Sequence, residues 1–541
     1  MALAARGLMM NQYCRLLVLP VFGVLSAAWS VWAEDWPVLG RDASRNAVSP
    51  EKDPPTDWEI GKFENKAWRW WQWGPEKSRN IKWAAPLGSM TFAAPVVANG
   101  QIYIGANNGV GYLKRYPNDI DLGCLLCFAE SDGRFLWQFS AEKLPTGRIH
   151  DWPLQGLGAT PLVEGDRLWF VSNRSEVVCL DTKGFRDDEN DGSFKGEPVQ
   201  GADEADVVWR FDLISKLGVF PRSAGMGPNR RCSIAPSYQN RIYVVTGNGV
   251  DDSFVQVPTP EAPSLVCFDK TTGEVLWTDS SPGKNILCSQ VADPLVVEIG
   301  GRGQVIVPQG DGWLRSFDAL TGELIWKFDI NPKLSKWIIG GRGARNEFFA
   351  TPVYYKGRVY IASGQGVEYG EGPGRLVCVD PTKVGDISSE LAVDSQGRSI
   401  PHRRTQAVTP ELGERAIANP NSGLIWEYTK VDHNDDGVID PEEEFHRTVS
   451  NVVIKDDLLV AVDFSGFIHC LDARTGRRHW AYDALACIWS SPLIVDDKVY
   501  AADEDGDVMV FNLSADPQRA MRDFDGMLEA INAFGPTPLA P

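Results

Sequence analysis

The sequence predicts an all-β protein, a single β-propeller of four-stranded antiparallel blades. The first observation behind this prediction is a phrase that recurs along the chain: a Cys or Ser two residues before an Asp, then a turn ending in Gly, then an apolar strand centred on Trp. The clearest copies run from Cys267 to Trp277, from Ser316 to Trp326 and from Cys470 to Trp480. A small unit repeated in this way cannot bury its own apolar face, so successive units stack against one another.

The second observation is a series of paired short apolar strands, most of which begin directly after a Pro. The first pair is joined by Asn99-Gly100, which is a strong local signal for a β-hairpin, and the other pairs are joined by similarly short turns. Such pairs begin at Ala94, Thr160, Ala235, Asp293, Thr351, Val449 and Ser491. With the third strand, which leads into the Asp, and the fourth, which carries the Trp, they predict seven blades; eight is the alternative if residues 34–80 or the tail supply an irregular blade.

The last blade lacks a Trp strand of its own, because only six Trp strands follow the seven pairs. A matching stretch at residues 81–84, with Trp83 at its centre, precedes the first pair. We therefore predict that an N-terminal strand completes the last blade and closes the propeller, which leaves no open sheet edge there. The propeller is then expected to span residues 81–512.

The segments outside the blades predict export and several excursions. Residues 1–33 combine Arg6 and Arg15 with an apolar run and a terminal Ala33, which is typical of a secretory signal peptide; a retained membrane anchor is the alternative. We expect a periplasmic or extracellular protein with no transmembrane anchor after cleavage. The remaining segments are an N-terminal extension at residues 34–80, insertions at residues 184–205 and 381–422, and a tail at residues 513–541 whose apolar spacing predicts a short amphipathic helix.

The charge balance argues against nucleic acid as a partner. The chain has 53 Lys and Arg residues against 72 Asp and Glu residues, a formal net charge of −19, and loss of the signal peptide makes it more negative. A surface of this sign repels phosphate backbones. We therefore expect no nucleic-acid ligand.

The ten cysteines predict packing rather than disulfide bonds. Cys14 leaves with the signal peptide. Five others occupy one repeat position just before the Asp of the turn, namely Cys127, Cys179, Cys267, Cys378 and Cys470. Equivalent positions in different blades are too far apart for a disulfide, whose Cα atoms lie within about 7 Å of each other. These cysteines are expected to be small buried apolar side chains.

Several longer motifs resemble those of a known family. They lie at residues 184–192, 245–250, 281–286 and 340–346, and they include Gly-Phe-Arg-Asp, Val-Thr-Gly-Asn-Gly-Val, Ser-Pro-Gly-Lys-Asn-Ile and Gly-Gly-Arg-Gly-Ala-Arg-Asn. With the repeats, they resemble the PQQ-like β-propeller repeat family, which includes quinoprotein dehydrogenases and a periplasmic lipoprotein of the outer-membrane assembly machinery. They resemble more closely the secreted PQQ-binding-like propeller proteins of planctomycete-type bacteria. The resemblance implies a propeller over about residues 80–512.

The same resemblance raises PQQ as a possible cofactor. Quinoprotein dehydrogenases of this fold have adjacent cysteines under the quinone and calcium beside it. No Cys-Cys pair occurs in this chain. A PQQ-dependent, quinoprotein-like oxidoreductase is therefore kept as the alternative function.

A calcium-binding loop is predicted at residues 432–443. Counting from Asp432, oxygen donors stand at positions one, three, five, seven, nine and twelve, and Gly437 stands at position six. This is the spacing of the EF-hand calcium loop. The predicted ligands are Asp432, Asn434, Asp436, the Val438 carbonyl, Asp440 and Glu443. Because a blade strand around Trp426 precedes it, we expect an isolated loop with a structural role; a solvated acidic loop is the alternative.

A second loop imitates the first half of this pattern. Asp187, Glu189 and Asp191 stand at positions one, three and five, and Gly192 follows at position six. Pro198 replaces the bidentate acid at position twelve. Asp187, Glu189 and Asp191 are therefore a second set of candidate calcium ligands, with one essential donor missing.

Positive and polar residues gather just before the first strand of successive blades and in the neighbouring loops. In a propeller these connections lie on one face, near the central channel. The candidate ligand residues are Arg230, Asn248, Lys284, Asp311, Trp313, Arg342, Arg345 and Asn346. If they converge, they form a positive funnel that attracts an anionic ligand. The alternative is that each Arg pairs with an acid of the neighbouring blade.

The sequence favours a binding or scaffold module over an enzyme. The six histidines show no metal-ligand spacing, and neither a Gly-x-Ser-x-Gly elbow nor a phosphate-binding loop occurs. No catalytic residue is identified. We expect a secreted or periplasmic, calcium-stabilised propeller that binds a protein or an anionic glycan.

Overall fold

The computed structural model describes residues 34–59, 63–64, 72–73, 78–89, 91–222, 234–365, 371–524 and 527–534. The predicted signal peptide and the candidate ligand residue Arg230 lie outside these ranges. Within them, no helix combines the length and the apolar character that a membrane span requires.

The described residues form an all-β propeller of antiparallel sheets. Seven of the sheets formed by these residues have the order of a blade, in which each strand pairs with the next strand of the blade, and we number them in chain order. Sheet 1 contains Val96–Ala98, Gln101–Asn107, Leu122–Ala129 and Phe135–Glu142; sheet 2 contains Leu162–Glu164, Arg167–Val171, Glu176–Asp181 and Val207–Asp212; sheet 3 contains Arg241–Val245, Leu265–Asp269 and Val275–Asp279.

The remaining blade sheets follow the same order. Sheet 4 contains Leu295–Ile299, Arg302–Pro308, Trp313–Asp318 and Leu324–Asp329; sheet 5 contains Val353–Tyr355, Arg358–Ala362, Leu376–Val379 and Leu424–Tyr428; sheet 6 contains Val453–Lys455, Leu458–Val462, Phe467–Asp472 and Arg478–Asp483; sheet 7 contains Leu493–Val495, Lys498–Ala502, Val508–Asn512 and Asn532–Phe534.

Short additional elements decorate these sheets. Val48–Ser49 joins the edge of sheet 7 and Gly385–Asp386 joins that of sheet 4, both in parallel. Two-stranded hairpins pair Phe63–Glu64 with Gln72–Trp73, Glu390–Val393 with Arg415–Ala418, and Arg522–Phe524 with Met527–Glu529. The helices are Leu213–Leu217 and Pro517–Ala520, and the 3-10 turns are Gly147–Ile149, Gly184–Asp187, Gly283–Asn285, Pro410–Leu412 and Pro441–Glu443.

One cross-strand pair repeats from sheet to sheet. The Cys of the third strand lies opposite the Trp of the fourth, as Cys127 with Trp137, Cys179 with Trp209, Cys267 with Trp277, Cys378 with Trp426 and Cys470 with Trp480. Ser316 takes the place of Cys in sheet 4. A β-bulge follows the Cys or Ser in each case, and such a bulge increases the local twist of the strand pair.

The repeat tryptophans tie one sheet to the next. Trp209 of sheet 2 donates from its indole Nε1 to the Lys270 carbonyl, in the turn of sheet 3, at 3.1 Å. Equivalent bonds join Trp137 to Thr182, Trp277 to Ala319, Trp426 to Ala473 and Trp480 to Ser514. A Cβ on Gly273 would lie 2.6 Å from the Trp209 ring, so the turn under the indole requires glycine. The recurring phrase of the sequence is therefore the contact that stacks the sheets.

Trp83 makes the same contact on sheet 1 without belonging to a strand. Its indole Nε1 donates to the Glu130 carbonyl at 2.9 Å, and its ring lies against Gly133. The prediction that residues 81–84 form the closing strand of the last blade is wrong, because residues 81–88 have no strand pairing. Asn532–Phe534, from the tail, pairs with the third strand of sheet 7 and holds the place expected for residues 81–84.

The C-terminal tail also differs from the prediction. Its apolar spacing predicts a helix, but the helix Pro517–Ala520 is a single turn and a hairpin follows it. Met521 and Ala530 are buried against the apolar residues of sheet 7. The residues that flank the hairpin thus cover sheet 7, whereas Phe524 and Met527 of the hairpin strands are exposed.

The described cysteines all carry free thiols. The five at the repeat position are buried between sheets, as predicted. Burial raises the pKa of Cys267 and that of Cys378 to about 12. These thiols stay protonated at neutral pH and act as apolar packing.

Candidate functional site

A buried polar cluster lies where the third strand of sheet 4 begins. Asp311, in the turn before this strand, accepts hydrogen bonds from Arg315 Nη1 at 3.0 Å and Nη2 at 2.7 Å. It also accepts the backbone N–H of Trp313 at 3.2 Å, which fixes the turn. We use the name Trp313 cluster for a connected set of residues: Asp311, Trp313, Arg315, Asp329, Asn331, Lys333, Arg345, Asn346 and His402.

Ion pairing keeps the two buried carboxylates of the cluster charged. Burial alone would raise their pKa values. Arg315 and His402 nevertheless hold the pKa of Asp311 well below its usual range. Arg345 and Lys333 lower the pKa of Asp329 to about 2 against the same burial. Both side chains are anions at neutral pH and fix the positions of the cations around them.

His402 comes from the insertion at residues 381–422 and links Asp311 to Trp313. Its Nε2 lies 3.3 Å from Asp311 Oδ2, and its Nδ1 accepts the indole N–H of Trp313 at 3.1 Å. Each ring nitrogen therefore already has a polar neighbour. His402 orients Trp313 and is not placed to take a proton from a ligand.

The ring of Trp313 is covered by cations. Lys333 Nζ lies 4.6 Å from the ring centroid, Lys327 Nζ 4.9 Å and Arg315 Cζ 5.7 Å. Cations at these distances are attracted by the negative face of an indole ring. Trp313 is 5% exposed, so its flat surface is used inside the protein.

The cluster also fixes the loop that leads from sheet 4 to sheet 5. Asp329 accepts from Lys333 Nζ at 2.8 Å and lies 3.3 Å from Arg345 Nη2. Asn331 Oδ1 accepts the N–H of Asn346 at 2.7 Å, and Asn331 Nδ2 donates to the Asn346 carbonyl at 2.8 Å. These bonds pin the two ends of the loop to each other.

Two arginines from other parts of the chain hold the tip of this loop. Arg447, which precedes sheet 6, donates from Nη2 to the carbonyls of Gly341 and Gly343, each at 2.7 Å. Arg404, from the insertion, lies over Trp337 with 5.2 Å between its Cζ and the ring centroid. The loop therefore rests on a rigid base supplied by sheets 4 and 6 and by the insertion.

The outer side of the loop exposes aliphatic side chains. Leu334, Ile338 and Ile339 are 59%, 41% and 46% exposed, whereas Ser335 and Trp337 between them are buried. Two cations, Lys336 and Arg342, are also exposed on this loop. We call the exposed residues the loop patch: Leu334, Lys336, Ile338, Ile339 and Arg342.

The structure gathers half of the candidate ligand residues into the Trp313 cluster, namely Asp311, Trp313, Arg345 and Asn346. All four are buried. The guanidinium of Arg345 faces Asp329 inside the protein, so the charge of this candidate is matched by a carboxylate.

The other candidates lie apart from the cluster. Asn248 is buried in its own loop, where its Oδ1 accepts the Phe220 N–H at 3.0 Å. Lys284 and Arg342 expose their side chains. Arg230 lies outside the described residues.

Sequence reasoning missed Arg315, Asp329, Lys333 and His402. The first three stand within or next to strands of sheet 4, where no repeated phrase marks them. His402 is 89 positions from the Trp313 that it binds, in an insertion without a motif. The available signal was the presence of several Arg residues in that insertion, which does not reveal the partner.

The predicted calcium loop is ordered by its own carboxylates. Asp432 accepts the N–H of Gly437 at 2.8 Å and that of Asp436 at 3.2 Å. Glu443 accepts the N–H of His433 at 2.7 Å and that of Asp440 at 3.3 Å. The first and last predicted ligands thus brace the loop from its two ends.

The carboxylates of this loop crowd one another. Desolvation together with Glu442, Asp436 and Glu443 raises the pKa of Asp440. Among the described residues, no group of three or more His, Cys, Asp and Glu side chains meets the geometry of a metal site as placed. The carboxylates bind backbone N–H groups instead.

The second predicted calcium loop holds its carboxylates in ion pairs. Asp187 lies 3.2 Å from Lys183 Nζ, and Asp191 lies 2.7 Å from Arg167 Nη2. The N–H of Glu189 binds Asp187 at 3.3 Å. Asp187 and Asp191 therefore already have cationic partners, and the backbone of Glu189 is bonded to Asp187.

Comparison with known proteins gives one family. The family model described as outer membrane protein assembly factor BamB matches residues 202–413 and 411–519. The outer membrane protein assembly factor BamB of Shewanella oneidensis is 23% identical over 347 residues, which cover 58% of this chain and 79% of that protein.

Solved structures of the same architecture are more distant. BamB from Moraxella catarrhalis has a TM-score of 0.40 and 14% identity, over 77% of this chain and 86% of that one. The quinohemoprotein alcohol dehydrogenase of Comamonas testosteroni has a TM-score of 0.47 and 13% identity, over 88% of this chain and 76% of that one.

The match to the family model extends over more than half of the chain and includes sheets 3 to 6 complete. It overlaps most of the repeats that resemble PQQ-like propellers. The protein therefore belongs to the BamB family of PQQ-like β-propeller repeat proteins.

Proposed function

We propose that the protein is an exported propeller scaffold of the periplasm that binds a protein partner through the loop patch and assists the assembly of outer-membrane proteins. The assembly role and the location are proposed by analogy with the family and with its Shewanella relative, both of which are named as outer membrane protein assembly factors. The site of binding follows from the geometry of the loop between sheets 4 and 5.

The observation that carries the proposal is an exposed aliphatic surface on a rigid base. Leu334, Ile338 and Ile339 project from one loop, and Trp337 beneath them is buried. Apolar side chains grouped at the surface and surrounded by polar residues mark protein-binding sites. Because Arg447 and Arg404 already hold the loop, little conformational entropy is lost when a partner binds.

Charge indicates what kind of partner fits. Lys336 and Arg342 flank the aliphatic residues, while the chain as a whole has a net charge of −19. A local positive field in an acidic protein steers an acidic segment to this place. The proposed partner therefore presents an apolar segment with acidic residues beside it. A protein fits the aliphatic patch better than the alternative of an anionic glycan, which would need more polar contacts.

The proposal includes a structural calcium ion at residues 432–443. Carboxylate and carbonyl oxygens are the donors that calcium prefers, and the loop supplies them at every required position. The raised pKa of Asp440 supports the same idea, because crowded carboxylates are relieved by a cation. The ion would be held by Asp432, Asn434, Asp436, the Val438 carbonyl, Asp440 and Glu443.

The proposal includes no quinone. A PQQ ring requires an open flat surface to stack on, and Trp313, the aromatic residue of the cluster, is covered by Lys333, Lys327 and His402. The chain also lacks a pair of adjacent cysteines.

The test is complementation of a strain from which the gene has been deleted. Outer-membrane protein levels would be measured by quantitative mass spectrometry of purified outer membranes. We expect them to fall on deletion and to return with the wild-type chain but not with Ile338→Ser/Ile339→Ser.

A matched control is Leu412→Ser/Ile417→Ser, which changes two exposed aliphatic residues of the insertion. It should restore the levels fully at equal amounts of folded protein. Unchanged levels after deletion would overturn the assembly role. Full restoration by the loop-patch variant would overturn the binding site while leaving the assembly role in place.

A further inference from the structure

The N-terminal segment at residues 36–49 crosses from sheet to sheet along their first strands. Trp36 pairs with Val97 of sheet 1, with 2.7 Å and 3.0 Å between their backbone N and O atoms. Further along, Val48 and Ser49 pair in parallel with the first strand of sheet 7. Between these points the segment contacts four more sheets.

The contacts repeat one geometry. The first strands of sheets 1, 2, 5, 6 and 7 are each three residues long, and the N–H of the middle residue binds an oxygen of the segment. The bonds run from Val97 to the Trp36 carbonyl at 3.0 Å, Val163 to the Pro37 carbonyl at 2.8 Å, Tyr354 to the Ser44 carbonyl at 2.9 Å, Ile454 to Asn46 Oδ1 at 2.8 Å and Ile494 to the Ala47 carbonyl at 3.0 Å.

A short segment reaches so many sheets only if their first strands converge. Residues 36–49 could span at most about 50 Å when fully extended, and this segment also contains turns at residues 38–45. The first strands therefore surround a common axis and direct a set of backbone N–H groups toward it. A buried N–H without a partner costs roughly 1–3 kcal/mol, so this axis requires an occupant that supplies acceptors.

Two side chains of the segment make the fit specific. Asn46 forms two bonds with Ile454, since its Oδ1 accepts the N–H and its Nδ2 donates to the carbonyl at 2.7 Å. Arg45 is 1% exposed and donates from Nε and Nη2 to the Pro294 carbonyl, at 3.2 Å and 3.1 Å, before sheet 4. Burial lowers the pKa of Arg45 to about 10, while Asp293 and Asp42 oppose this effect.

We infer that the axis of the propeller is a binding site for a peptide, and that the chain's own segment at residues 36–49 fills this site without needing its covalent connection to sheet 1. The ligand class is a peptide with the Arg-Asn-Ala-Val order of residues 45–48, in which Arg occupies a buried pocket and Asn imitates a neighbouring strand. This site is distinct from the loop patch and does not depend on the proposed function.

The experiment places a specific protease site within residues 65–71 of the full chain and immobilises the protein through a C-terminal tag. After cleavage, release of the N-terminal fragment is followed by mass spectrometry, with and without an excess of an isotope-labelled synthetic peptide of residues 34–56. We expect the fragment to stay bound after cleavage and the labelled peptide to replace it slowly.

The same cleavage in Arg45→Ala and in Asn46→Ala should release the fragment at least tenfold faster, because a buried donor or acceptor then loses its partner. Lys52→Ala is the matched control. Its ion pair with Asp496 is exposed, so release should stay within about twofold of the wild type.

Immediate loss of the wild-type fragment, whether the large fragment then stays folded or unfolds, would overturn the inference. Release from Asn46→Ala at the wild-type rate would do the same. Failure of the labelled peptide to bind after the fragment has left would show that the site depends on the covalent connection, which also contradicts the inference.

Discussion

Two Asp-rich loops of this protein begin with the same spacing and differ in how their charges are balanced. In the loop at residues 432–443, Asp432 and Glu443 bind backbone N–H groups, and none of the described residues forms an ion pair with its predicted ligands. In the loop at residues 187–198, Asp187 is paired with Lys183, and Asp191 with Arg167.

The difference lies in the sheets that carry the loops. Arg167 belongs to the second strand of sheet 2, where it contacts both Asp181 and Asp191. Because Asp187 and Asp191 already have cationic partners, we expect this loop to gain less from calcium than the first. Residues 432–443 follow the last strand of sheet 5. The cation beside them among the described residues is Arg478 of sheet 6, which donates to the Glu442 carbonyl and helps to lower the pKa of Glu443 but forms no ion pair with the predicted ligands. Spacing alone therefore does not decide whether an acidic loop binds calcium, because cations on the neighbouring strands also determine how strongly the carboxylates attract an ion.

The largest effect is expected from Glu443→Gln, which removes the bidentate donor of the first loop. Saturating calcium, at about a hundred times its dissociation constant, would stabilise the wild type by about 2.7 kcal/mol and raise Tm by about 3 °C. We expect the variant to lose this rise. Differential scanning calorimetry in calcium and in EGTA measures it.

Glu442→Gln is the control for this prediction, because Glu442 stands beside Glu443 but is not a predicted ligand. It should keep the calcium-dependent rise. An equal Tm in calcium and EGTA for the wild-type protein would contradict the proposal that the first loop binds calcium.

An intermediate effect is expected from Arg167→Gln in the second loop. This change leaves the buried carboxylate of Asp181 without its cation, and the free energy of unfolding should fall by about 1–2 kcal/mol. The loss should be the same in calcium and in EGTA, in contrast to that of Glu443→Gln. Urea unfolding under both conditions provides the comparison.

Lys183→Gln is the matched change for Arg167→Gln at the exposed pair. It should leave the free energy of unfolding unchanged within the error of the measurement, because both partners of an exposed ion pair are well solvated. If Arg167→Gln instead reduced the calcium-dependent part of stability, the second loop would have to be counted as a calcium site.

The repeats made most of the fold predictable. The pairing of Cys267 with Trp277 is local in sequence, and its recurrence along the chain makes each copy recognisable. Contacts that occur once carry no such signal. Asn532–Phe534 completes sheet 7, and residues 36–49 join the first strands, mostly through backbone groups that any sequence possesses.

The candidate site was predictable only in part, for a related reason. Arg345 stood out because positive residues recur before the first strands, and Asp311, Trp313 and Asn346 stood out as polar or aromatic residues in the neighbouring loops. His402 reaches Asp311 from the insertion, and that contact depends on how the insertion folds over sheet 4. The aliphatic residues of the loop patch were indistinguishable in the sequence from core residues, since only the fold shows which of them point outward.

The smallest expected effect is a change in Tm of opposite sign for Asp440→Asn in the first loop and Asp187→Asn in the second. The pKa of Asp440 is raised, by desolvation and by Glu442 and its neighbours, so ionised Asp440 destabilises the folded state. The stability that neutral Asp440 contributes is present at low pH and is lost as pH rises through the raised pKa. In EGTA at pH 7, Asp440→Asn should therefore raise Tm slightly, within about 1 °C.

Asp187 has a lowered pKa because, against desolvation, the Glu189 N–H and Lys183 favour its anion. Its stabilising contribution is present above its usual pKa and is lost as pH falls through the lowered value. Asp187→Asn should lower Tm slightly at pH 7, with or without calcium. Calcium should reverse the sign for Asp440→Asn, because the variant then lacks a ligand, and should leave Asp187→Asn unchanged. Equal signs for the two variants in EGTA would mean that the two loops do not differ in their balance of charge.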